Sequence, residues 1–127
     1  MSTVGYVEVV FGLLLSRQEH AKIFREAEDW DEDDWDKLLA TLGLRPAPPT
    51  LRYAAHGDSV DQYHVYINES LRQETRWSQE QEDGVIRLDP ATLQADPAWT
   101  DRLQQFCQAA QVQGEYIGWL VVRTVSY

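Results

Sequence analysis

Hydrophobic and polar residues alternate from the start of the chain. Val7, Val9, Phe11 and Leu13 fall on one side and Tyr6, Glu8 and Val10 on the other. A period of two is the pattern of a strand with one buried face, and Gly12 within it marks a bulge position. The period then changes. Ser16-Arg17-Gln18-Glu19 has the capping-box form, a hydroxyl followed three residues later by Glu. His20, Ile23, Phe24 and Ala27 recur at helical spacing behind it. A second stripe of Trp35, Leu38, Leu39 and Leu42 predicts a helix over Asp31 to Leu42, closed by Gly43 where a left-handed cap is wanted. The pattern leaves open whether the two helices run as one through Trp30.

Three prolines (Pro46, Pro48 and Pro49) make the next residues an extended connector. Leu51 to Ala55 predicts a short strand and Gly57-Asp58 a turn. Val60 to Asn68 predicts another strand, with Tyr63, Val65 and Ile67 facing one way and Gln62, His64 and Tyr66 the other. Residues 69–83 are polar and read as an excursion, followed by a short strand at Val85 to Leu88. Asp96-Pro97 is a helix start, and Trp99, Leu103, Phe106 and Ala110 share a face that Gly114 is expected to end. Glu115 to Val125 is apolar on both sides, which predicts a closing strand covered on both faces. With an insertion at about 69–96 set aside, the order is βαββαβ. That is the order of the ferredoxin-like sandwich, an α+β domain with helices on one face of a mostly antiparallel sheet and the last strand beside the first.

Composition narrows the setting. A chain of 127 residues, 43% hydrophobic, has the size and composition of one globular domain. Its single cysteine, Cys107, excludes an internal disulfide and a cysteine-based zinc site. The first residues lack the basic start of a signal peptide, and Val9 to Leu15 is far too short to span a bilayer, so an intracellular setting is expected. Net charge is −10, which disfavours nucleic acid and anionic membranes as partners. The charge is uneven. Residues 26–36 hold eight acids and no base, leaving −2 for the rest of the chain.

That segment has two readings. Asp31, Glu32, Asp33 and Asp34 in the opening turn of a helix are favoured by its dipole, by about 0.3–1 kcal/mol each. A solvated helix start therefore explains half of it. Glu26, Glu28 and Asp29 fall where the preceding helix ends and the dipole opposes them, which favours a docking site for a basic protein partner, with Trp30 as its aromatic anchor. Trp35, on the apolar stripe, belongs to the core. A calcium loop beginning at Asp29 fails at its two diagnostic places, where Asp34 replaces the turn glycine and Ala40 the bidentate Glu.

The sheet face away from the helices is the alternative site. It would show Tyr6, Glu8, His64 and Tyr66, joined by Trp119 and Arg123 if the last strand is so oriented. Such a surface suits packing under the 69–96 excursion, a face-to-face homodimer or a small-molecule pocket. His64 as a base with Glu8 or Tyr66 is the one acid–base arrangement the pattern offers. No catalytic motif is present, no histidine pair has metal-ligand spacing, and Cys107 lies amid Gln and Ala rather than bases. The sequence thus points to a non-enzymatic interaction protein with no metal or cofactor. The alternative is a dimeric ligand-binding protein or enzyme working at the open face.

Overall fold

The computed structural model describes residues 4–23, 32–54, 62–78 and 90–126. They form β1 (Val4–Ser16), α1 (Arg17–Ile23), α2 (Glu32–Thr41), β2 (Leu51–Ala54), β3 (Gln62–Ile67), β4 (Gln73–Ser78), α3 (Pro97–Ala110) and β5 (Tyr116–Ser126). Single turns of 3-10 helix occupy Asn68–Ser70 and Pro90–Thr92. The Gly57-Asp58 turn, the Val85 to Leu88 strand and the Trp30 helix boundary lie outside the described residues.

β1 is the axis of the sheet. Along one edge it pairs with β5 in a single antiparallel register, from Val4 opposite Ser126 to Leu14 opposite Tyr116. Its other edge is shared. β3 takes Gly12 to Ser16 and β4 takes Val4 to Val9, both antiparallel, while β2 pairs with the far side of β3. The five strands therefore make a sheet four strands wide, with β3 and β4 end to end and the last strand beside the first. Register fixes the faces. Phe11, Leu13, Leu15, Val65, Ile67 and Leu51 meet Trp35 and Leu39 of α2 and Trp99, Leu103 and Phe106 of α3 in one buried cluster. This is an α+β fold with its helices on one face of an antiparallel sheet.

Four residues step out between β3 and β4. Gly12 is opposite Tyr66 and Val9 is opposite Gln73, so three steps along β1 are matched by seven on its neighbour. Ser70 closes the gap. Its buried hydroxyl accepts from Phe11 N at 2.8 Å and donates to Ile67 O at 2.6 Å, and Arg72 N donates to Val9 O at 3.1 Å. Of the excursion expected over 69–83, Gln73–Ser78 is a strand, so its first part is confined to 68–71, and residues 79–83 lie outside the described residues. β1 offers an open edge there, and backbone pairing is indifferent to the polarity of Gln-Glu-Thr-Arg-Trp-Ser.

Several local expectations meet their physical cause. Glu19 N donates to Ser16 Oγ, Ala98 N donates to Asp96 Oδ1, and Gly43 has φ of +74°. Gly12 makes no bulge, since the β5 register runs through it unbroken. It is a close-approach site instead: a Cβ there would lie 2.7 Å from Val65 O and 3.1 Å from Leu120 Cδ1. Gly114 does not end α3. Gln111 does, in the left-handed region at φ 57°, while Val112 bonds back to Cys107 O and enters the core. A Cβ at Gly114 would collide with Leu13 Cδ1. β5 departs from the covered position expected of it. Among the described residues it pairs with β1 alone, and Val121 is 64% exposed.

Ser70→Ala leaves the buried N–H of Phe11 without its acceptor and should cost about 1–3 kcal/mol in urea unfolding; a loss of a few tenths would show that the hydroxyl is not the splice described. Gly12→Ala should destabilise the chain by about 1–3 kcal/mol through overpacking against the Val65 carbonyl, read as a lower urea midpoint at unchanged slope.

Candidate functional site

The acidic segment ends on a fixed support. Trp35 is 3% exposed, and its Nε1 donates to Leu51 O of β2 at 2.9 Å. Its ring stacks with Tyr53 at 5.7 Å and tilts against Phe106 at 5.6 Å. This is the core role that its place on the apolar stripe indicated. Glu32 and Asp33 stand in the first turn of α2, Asp34 is half-buried and Asp36 is exposed. Glu26, Glu28, Asp29, Trp30 and Asp31 lie outside the described residues.

The open-face residues do not form one constellation. His64 sits opposite Leu14 and Tyr66 opposite Gly12, and their rings lie 5.6 Å apart. Glu8 is opposite Val122, six residues along β1 from Leu14. At about 3.4 Å per residue that is roughly 20 Å, too far for a shared proton. Tyr6 is two residues farther still, opposite Thr124. The pairing of Glu8 with His64 is therefore broken by register, and Tyr66 is the one member of the set beside His64. His64 itself is 6% exposed. Trp119 is opposite Phe11 and Arg123 opposite Val7, so both hold positions on the helix side. Trp119 meets Phe11 edge-on at 5.6 Å and Trp99 edge-on at 6.0 Å.

Three sets of contacts were not legible in the sequence, although it placed His20 on the inner face of its helix as a packed or hydrogen-bonded residue. The first is an interior polar cluster. His20, at the inner face of α1, stacks on Tyr63 at 3.5 Å and shares a 2.7 Å hydrogen bond between Nε2 and the Tyr53 hydroxyl. Burial pushes the His20 imidazole down to about 4. Burial and the neighbouring Tyr63 push Tyr53 up to about 12. At neutral pH the pair is thus an uncharged imidazole and an uncharged phenol, a packing element with a satisfied polar tip. The second is Arg72. Its guanidinium lies 5.2 Å from the Trp99 ring and 5.8 Å from Trp119 while donating to Thr92 O and Glu69 O. It straps the turn at Pro90–Thr92 to the sheet. The third is an open groove of about 680 Å³ between the proline connector and α3, walled by Leu44, Pro48, Pro49 and Ala98. Arg102 at its base is engaged with the carbonyls of Pro49 and Arg45. No pattern of period or spacing carries these contacts, since each joins residues distant in the chain.

The nucleophile and metal readings gain no geometry. Burial raises the Cys107 thiol, and the Glu19 carboxylate adds to the rise, so it is held as a thiol at neutral pH. Among the described residues no three His, Cys, Asp or Glu side chains gather as metal ligands, and no helix is long and apolar enough to cross a membrane.

The His20 environment sets a pH dependence. The folded state keeps the ring neutral to about 4, whereas the unfolded chain takes up its proton near 6.5. Stability from this site is therefore complete above pH 6.5 and declines as pH falls towards 4. Thermal melts between pH 7.5 and 4.5 should show Tm falling in the wild type and a flatter profile in His20→Phe, which keeps the stack but cannot titrate. Compared with known protein families, curated proteins and solved structures, the chain finds no match in any of the three.

Proposed function

We propose that this protein is an acidic, non-enzymatic interaction module that docks a basic protein partner through residues 26–36. The observation that carries this reading is the concentration of eight acids in the eleven residues 26–36, which include Trp35, whose indole is bonded into the core at Leu51. A charge cluster beside such an anchor presents its field from a fixed base, which favours fast, salt-sensitive capture of a basic surface. The dipole of α2 accounts for acids in its opening turn but not for Glu26, Glu28 and Asp29. A partner that needs negative charge accounts for both.

The alternative is ligand binding on the open face, and one observation favours it. His64 and Tyr66 are ring neighbours on the side away from the helices. With Glu8 some six residues distant along β1, this site would act by stacking and hydrogen bonding rather than by a carboxylate–histidine pair.

The test is a capture experiment with two immobilised proteins. One is the wild type. The other carries Glu26→Gln, Glu28→Gln, Asp29→Asn, Asp31→Asn, Glu32→Gln and Asp33→Asn, leaving half-buried Asp34 intact. Wild type should retain a basic protein that the neutralised variant does not, and moderate salt should release it as the Debye length falls below about 8 Å. Circular dichroism should show both folded. Equal retention by the two would remove the docking reading.

A further inference from the structure

We propose that two copies of this chain pair antiparallel through the edge of β5 that no described strand occupies, so that the sheet continues from one copy into the other across a two-fold axis. An edge strand presents a row of unpaired N–H and C=O groups, and proteins that stay monomeric blunt it by shortness, proline, bulges or charge. β2, at the opposite edge of the described sheet, is blunted: it carries Arg52 and follows directly on the proline connector. β5 has none of these devices. It runs eleven residues, contains no proline, keeps an unbroken register with β1, and has Arg123 as its one charged residue. At about 3.4 Å per residue its edge is roughly 37 Å long. Two of the three exposed large hydrophobic residues in the described chain lie on it, Val121 at 64% and Tyr116 at 48%.

Charge decides which edge a second copy can use. The described acids of the segment, Glu32, Asp33, Asp34 and Asp36, stand on α2, which is bonded to β2 through Trp35 and Leu51, so they belong to the far edge of the described sheet. Pairing through β2 would bring two such segments together. Pairing through β5 puts seven strand spacings between the two β2 strands, roughly 34 Å at about 4.8 Å each, several times the Debye length of about 8 Å at physiological salt. The sheet is antiparallel throughout, and an antiparallel β5–β5 pair continues that pattern. The contact is isologous, so both edges are consumed and assembly stops at two. This differs from a face-to-face dimer through His64 and Tyr66, and it does not rest on the docking reading. The acid-neutralised variant keeps β5 and should pair as the wild type does.

Sedimentation equilibrium of the full chain from low to several hundred micromolar should show the mass rising to twice that of one chain and no further. Val121→Lys alters an exposed side chain and should hold the protein at monomer mass with an unchanged circular dichroism spectrum. Hydrogen exchange of the wild type supplies a readout that needs no variant: amides of residues 116–126 should gain protection with concentration while those of 51–54 do not. A wild type that stays monomeric throughout, a mass that grows past two chains, or a dimer formed without new protection in β5 would each overturn the proposal. So would undiminished pairing by Val121→Lys.

Discussion

The Ser70 hydroxyl stands where a backbone group is missing. β1 is bonded along both edges, and its neighbour steps out of line for four residues at the point where Phe11 needs an acceptor. An unsatisfied N–H there would be buried, since the Phe11 side chain lies in the core against Trp99 and Trp119. The hydroxyl restores the bond, and Arg72 N returns the chain to Val9 O two residues later. Much else follows from that splice. It keeps the ladder continuous under α3. It also sets Arg72 where its guanidinium can cover both indoles and hold the Pro90–Thr92 turn.

The interior polar groups described in this fold are tied into its packing. His20, Tyr53 and Tyr63 form a stacked, hydrogen-bonded cluster held uncharged by burial, Trp35 lends its N–H to β2, and Arg102 ties the proline connector to α3. Several described residues suited by type to catalysis are engaged or detuned. His20 is buried beneath its stack, Cys107 is raised by desolvation, and Glu8 is a strand's length from His64. What the molecule displays instead is asymmetry between the two sheet edges. Among the described residues the acids of α2 stand beside β2, and β5, with one charged residue, forms the other edge.

The sequence by itself determined the elements whose signals are local. The period of two in β1 and β3, the Ser16 and Asp96 caps, the left-handed Gly43 and the buried stripe through Trp35 all depend on neighbours within a few residues, where sterics and hydrogen bonding act directly. The concentration of charge at 26–36 was legible for the same reason, being a matter of composition. Tertiary structure alone decided the rest. β4 exists because β1 holds an open edge for it, not because its own residues favour a strand. Register placed Trp119 on the helix side and carried Glu8 away from His64, a shift no alternation pattern can encode because every residue on a face looks alike to it. Leu13 needed the space at Gly114, so that glycine serves close packing while Gln111 takes the strained turn that ends α3. And β5, apolar on both sides, became an edge among the described strands, because the position of a strand in a sheet is set by which neighbours can reach it.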